Sequence, residues 1–192
     1  LKVTAENLLK KAGCKNIKHE IVLLPSEKLG AEKYGIVEIP MALTWREPRE
    51  QSSVQTQLLF GERVYLLDMN EDSTYYLVHG GDGYIGWVRR DAITRMNATA
   101  FTNWNNTPHA VFIHDYMQDE LRFPTGGSLP IVQSNGDSVT LQLTRGYRAT
   151  KDTTLVTVPV SVLRLPSAIS PGRTAALTAV EYLTVPYVFG GK

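Results

Sequence analysis

Short runs of alternating apolar and polar residues dominate the middle of the chain. From Arg63 to Met69, Val64 and Leu66 share one face while Arg63 and Tyr65 take the other, which is the period of a half-buried strand. Gly35-Ile36-Val37-Glu38-Ile39 opens this series, and Val54–Phe60, Tyr75–His79 and Tyr84–Arg89 continue it. Gly61, Asn70 to Asp72 and Gly80-Gly81-Asp82-Gly83 punctuate the runs. Closely spaced short strands with turn signals between them predict a small β-barrel over 34–96. Weaker runs at Ala110–His114, Leu129–Gln133, Ser138–Leu143 and Leu155–Val160 predict a second β module, with Gly126-Gly127 and Asn135-Gly136 as its turns.

The two ends follow other patterns. Leu8, Leu9 and Ala12 form a short stripe at helical spacing, with Thr4 as its expected cap and Gly13 as its stop. Ile21-Val22-Leu23-Leu24, closed by Pro25, reads as a buried strand. After Pro166, Ser170-Pro171 places a cap before a proline at the first helical position, and Thr174–Leu183 predicts an Ala- and Leu-rich helix ending before Pro186. The expected organisation is therefore a helix-strand segment over 1–33 packing on a first barrel at 34–96, a second barrel at 97–165, and a linker with a helix at 166–192.

Composition narrows the function classes. Over 192 residues, hydrophobic residues are 43% and charged residues 20%, enough to bury a core and unlike a disordered chain. Lys plus Arg number 20 against 19 Asp plus Glu, so the strong basic excess of a dedicated nucleic-acid binder is missing. No apolar run reaches the roughly 18 residues of a membrane-spanning helix. The single cysteine, Cys14, excludes an internal disulfide framework. It follows Gly13 at a helix C-terminus, where the dipole disfavours a thiolate, so it reads as a packing residue. His109 and His114 stand five apart in a strand-like segment and give no metal-ligand pair on one helical face. Neither a metal nor a cofactor is expected.

Three stretches carry a family resemblance. Gln57-Leu58-Leu59-Phe60-Gly61-Glu62-Arg63-Val64 followed by Asp82-Gly83-Tyr84-Ile85-Gly86-Trp87-Val88 resembles the bacterial SH3 (SH3b) domain. Residues 97–160 are similar to a degenerate second copy. Arg173–Leu183 with Pro186-Tyr187-Val188-Phe189-Gly190-Gly191 resembles the opening of an NlpC/P60 cysteine peptidase domain. In this order the three match SH3b–SH3b–NlpC/P60 cell-wall endopeptidases. Some positions depart from the pattern. Phe189 stands where Trp is commoner, Trp45-Arg46-Glu47-Pro48 is one residue tight, and Leu143 to Tyr147 replaces the usual second-barrel turn.

The resemblance implies a mainly β fold of two SH3-like barrels and the first helix of a papain-like α+β domain. It also implies that the catalytic cysteine and its histidine partners lie beyond Lys192, so no catalytic residue is expected within the chain. The implied function is the targeting and substrate-gating part of an envelope endopeptidase that cleaves the γ-D-glutamyl–diamino acid bond of murein stem peptides. Its implied partners are that peptide and the catalytic domain. The alternative is a non-enzymatic tandem module binding peptidoglycan peptides.

The resemblance also singles out side chains. Glu62 would accept a charge-assisted hydrogen bond from the free amine of the stem peptide's L-Ala, with Tyr84 beside it. Trp45, expected in a long loop of the first barrel, is a third recognition candidate. Trp87 reads as a core aromatic. The outward member of the Tyr75-Tyr76 pair could extend the peptide surface.

Overall fold

The computed structural model describes residues 2–18, 20–144 and 155–166, with isolated positions between 172 and 186. Among them the chain is mainly β. The first region holds β1 (Tyr34–Val37), β2 (Met41–Trp45), β3 (Val54–Leu59), β4 (Arg63–Met69), β5 (Tyr75–His79), β6 (Ile85–Arg89) and β7 (Ile93–Met96). They form an antiparallel sheet in the order β3-β2-β6-β5-β4-β1-β7. Period-two burial is visible along β5, where Tyr76 and Val78 are buried and Tyr75, Leu77 and His79 are half-buried. The inner faces enclose Val37, Leu58, Val64, Leu66, Tyr76, Val78 and Val88.

Two glycines and two threonines explain the sequence signature of this region. A Cβ on Gly86 would lie 2.8 Å from both the Cβ and Oγ1 of Thr44, so only glycine lets β6 approach β2 where Trp45 faces Trp87. Thr44 Oγ1 is buried there, donating to the Thr56 carbonyl and accepting from the Thr56 N–H, both at 3.0 Å. Gly83 has φ +86°, which closes the turn from Gly80 to Tyr84. Asp82 holds that turn against β3, accepting from Thr56 Oγ1 at 2.6 Å and from the Tyr84 N–H at 3.1 Å.

A helix, α2 (Ala98–Asn106), leads to the second region. Asn97 caps it, its side chain accepting from the Ala100 N–H at 2.9 Å. Then follow β8 (His109–Phe112), β9 (Tyr116–Gln118), β10 (Leu121–Phe123), β11 (Ser128–Asn135), β12 (Ser138–Gln142), β13 (Leu155–Pro159) and β14 (Leu163–Arg164). Strands β9 and β10 pair as a hairpin, and the others form a sheet in the order β13-β12-β11-β8-β14. The Asn135-Gly136 signal does make a hairpin, one step later than an Asn-Gly turn. Asn135 pairs with Ser138, and Gly136, at φ +61°, is the first of two loop residues.

Several expectations are corrected. The second region is not strands alone: α2 was concealed by its polar Asn and Thr positions, although Phe101 and Trp104 are spaced as a buried helical face. Trp45 is not in a loop but ends β2, half-buried. Ile21 to Leu24 is not a buried strand. Its four side chains are exposed and no strand among the described residues pairs with it, because an apolar run does not by itself supply a hydrogen-bonding partner. Thr4 lies inside the first helix, α1 (Lys2–Lys11), rather than capping it. Gly13 does end that helix. With φ +89° it donates to the Lys10 carbonyl while Cys14 N–H reaches Leu9, a Schellman closure. Leu29, in the turn Glu27–Leu29, is the N-terminal residue that enters the first core. The predicted helix at Thr174–Leu183 and the Tyr187–Gly191 loop fall largely outside the described residues.

Candidate functional site: a cleft at the joint of the two regions

The two regions meet backbone to backbone. Gly61, at φ +79°, follows β3, and the Ser128 N–H donates to the Phe60 carbonyl at 2.9 Å. A Cβ on Gly61 would collide with the Ser128 carbonyl oxygen. The turn therefore needs glycine for its conformation and again for its contact. Phe60 and Ile36, both from the first region, are buried in the second region's core beside Phe112, Phe123 and Trp104.

This joint leaves a cleft of about 400 Å³ whose lining includes Leu59 to Arg63, Tyr65, Gly81, Phe101, Asn105, His109 and Ser128. Glu62 sits at the turn into β4. The Leu59 N–H donates to its Oε2 at 3.0 Å, which orients the carboxylate. Gly81 lies against the other oxygen, since a Cβ there would be 3.7 Å from Oε1. Tyr65 forms an aromatic wall, 5.6 Å from Phe101 and 5.7 Å from Tyr34 between ring centroids. Arg63 donates through Nη1 to Asn105 Oδ1 on α2.

His109 opens β8 on the far side of the cleft. Its Nδ1 lies 2.7 Å from the Thr107 carbonyl, which can only accept, so the proton sits on Nδ1 and Nε2 is the ring's second polar atom. Burial lowers its pKa below the ordinary histidine value, and the Arg63 charge adds to that. The Thr107 bond works the other way.

The expected site residues separate. Glu62 lines the cleft. Tyr84 is exposed at the end of the Gly80–Tyr84 turn, whose Gly81 abuts Glu62, but it is not part of the lining. Trp45 belongs elsewhere, paired across strands with Trp87, which in turn faces Leu77. This half-buried row lies on the outer face of the sheet, opposite the core face that carries Tyr76 and Val88. Sequence reading missed Arg63, Tyr65, Asn105, Phe101 and His109 as one group. The available signal was the outward Arg63/Tyr65 face of β4. What covers that face comes from a helix about 40 residues later and could not be read from spacing.

Residues 45–93 match the family described as the bacterial dipeptidyl-peptidase SH3 domain. No curated protein sequence matches the chain. Among solved structures, the chain is similar to an NlpC/P60 family protein from Bacillus cereus ATCC 10987, with 15% identity and a TM-score of 0.62 over 82% of this chain and 66% of that one. It is also similar to an NlpC/P60 endopeptidase from Photobacterium damselae subsp. piscicida, with 18% identity and a TM-score of 0.61 over 87% of this chain and 41% of that one. The chain thus spans less than two thirds of either neighbour's length. Residues 45–93 are thus similar to a bacterial SH3 domain, and the chain around them shares its fold with these two NlpC/P60 proteins.

Proposed function

We propose that the chain is the targeting and substrate-gating part of a bacterial cell-wall endopeptidase, acting beside an NlpC/P60-type catalytic domain. In this reading the two β regions are tandem SH3-like barrels. The bond cleaved is that between γ-D-glutamate and the diamino acid of a murein stem peptide. The observation that carries the reading is the oriented Glu62 carboxylate in a cleft at the joint. A carboxylate held by a backbone N–H still offers lone pairs to an ammonium, and ionised partners give the stronger hydrogen bonds. A free L-Ala amine held there sits a fixed number of bonds from the γ-glutamyl carbonyl. Recognition of one charge thus sets where the chain is cut. In this reading Tyr84, on the turn whose Gly81 abuts Glu62, contacts the same residue of the peptide. Trp45 lies on the outer face, so this cleft does not use it. The setting of such an enzyme is the cell envelope.

Titrating the chain with L-Ala-γ-D-Glu-diaminopimelate and with its N-acetylated form, followed by NMR shifts, tests this. The free-amine peptide is expected to bind at least about tenfold more tightly, and Glu62→Gln to abolish that preference. Equal binding of capped and free peptides would remove the gating role and favour the non-enzymatic module.

A further inference from the structure

Two apolar features of the N-terminal segment serve neither the cores nor the cleft. One is the helical stripe of α1, where Ala5, Leu8, Leu9 and Ala12 recur at the spacing of a single face. The other is the run from Ile21 to Leu24. Leu8 and Leu9 are 63% and 44% exposed, and Val22 and Leu23 are 72% and 60% exposed. Among the described residues, the first backbone bond from this segment to the sheet comes only after the run. There the Ser26 N–H donates to the Leu67 carbonyl at 2.7 Å, and Leu29 enters the first core. The apolar side chains ahead of that anchor belong to neither core. The segment also differs in charge. Residues 1–24 contain five lysines and two glutamates, leaving 15 of the 20 basic and 17 of the 19 acidic residues to the rest of the chain. Lys10, Lys11, Lys15 and Lys18 are exposed and fall between the leucines and the run. On α1, Lys10 and Lys11 stand with Asn7 on the face opposite the leucines.

We infer that this segment docks on an anionic lipid bilayer, its leucines and the 21–24 run entering the boundary between headgroups and acyl chains while the four lysines meet the headgroups. The combination of side chains selects the occupant. A soluble polyanion would engage the lysines and leave the apolar side chains in water. A protein partner would cover the apolar side chains, but lysines are depleted where such patches are buried. A bilayer with acidic headgroups satisfies both, since apolar burial and electrostatic attraction add there. The segment lies on the surface rather than across it, as no described helix is long and apolar enough to span. Two leucines on one short face hold weakly, so the run and the lysines are needed with them.

Cosedimentation of the full chain with vesicles tests this, comparing phosphatidylcholine alone with equal parts phosphatidylcholine and phosphatidylglycerol. The mixed vesicles are expected to bind at least about tenfold more tightly, with the preference shrinking as salt rises. Lys10→Glu with Lys11→Glu should weaken binding to the mixed vesicles by about tenfold or more. Val22→Ser with Leu23→Ser should weaken it by a similar factor, about tenfold, and Leu8→Ala with Leu9→Ala should act in the same direction while keeping good helix formers. These side chains are exposed, so melting temperatures should stay at the wild-type value. Equal sedimentation with both vesicles, or with neither, overturns the inference. Unchanged binding in the Val22/Leu23 pair overturns it too and marks a site for a soluble polyanion, and unchanged binding in the Lys10/Lys11 pair overturns it by removing the charge. A wild type that self-associates through Leu8 and Leu9, with vesicle binding unchanged when they are replaced, overturns it in favour of a second copy of the chain.

Discussion

The two β regions are built on different terms. The first closes its core with its own side chains, Tyr76 apart all aliphatic, plus Leu29 from the preceding turn. The second sets Phe112 and Phe123 among aliphatic side chains and borrows Ile36 and Phe60 from the first, while α2 inserts Phe101 and Trp104. One strand shows the asymmetry. In β1, Val37 belongs to the first core and Ile36, its neighbour, to the second. Alternation along a single strand thus feeds two cores, and the joint is part of the second region's interior rather than a loose linker. A cleft at such a joint keeps its shape because the surfaces on either side cannot slide independently.

The comparison predicts an ordering of mutational effects. Phe60→Ala should be the most damaging, at about 3–5 kcal/mol, because it empties the borrowed part of the second core beside Phe123, 6.0 Å away between ring centroids. Hydrogen exchange should rise first in β8 and β11 while β4 and β5 stay protected. Uniform loss of protection would mean that the two cores are one cooperative unit.

Leu66→Ala, in the first core, should cost about 2–5 kcal/mol and behave in the opposite way. Since the second region leans on the first, both should lose protection together. A second region that stays protected in this variant would contradict the dependence.

Gly61→Ala should cost about 2 kcal/mol or more, from positive φ and from the collision with the Ser128 carbonyl. Denaturant titration measures the loss, and tripeptide affinity should fall with it because the cleft is built on this turn. Stability lost with affinity unchanged would place binding elsewhere.

The smallest effect concerns Glu38, which accepts a hydrogen bond from Thr94 Oγ1 where the first region's sheet turns. Burial raises its pKa above the ordinary 4.5. The Thr94 bond offsets part of this, and Asp91 adds to the rise. A raised folded-state pKa means that protonation favours the fold. That contribution is complete below pH 4.5 and is lost as pH climbs through the elevated value. Glu38→Gln should therefore stabilise the protein by less than about 1 kcal/mol at pH 7 and by nothing near pH 4. Melting temperatures at the two pH values check the sign, and a variant destabilised at pH 7 would refute it.

How much of this was legible beforehand follows from physical range. β4 and β5 were readable to the residue, since a period of two with Gly and Asn turns on either side is a local signal. Glu62 was reachable through the motif it sits in. Strand β2 was not, because Met41 to Trp45 shows no clean alternation and acquires its identity from β3 and β6. The 21–24 run misled for the converse reason: hydrophobicity says that a segment should be buried without saying whether a neighbour exists to bury it.

The amino-acid order alone determined the local grammar of the chain: which stretches alternate, where glycine must turn it, and which motif resembles a bacterial SH3 domain. Tertiary structure alone decided that Gly61 abuts Ser128, that Phe60 serves another region's core, and that Glu62, Arg63, Tyr65 and His109 share one cleft. Alternation and turn chemistry act over a few residues, whereas a cleft between units depends on contacts between residues dozens of positions apart.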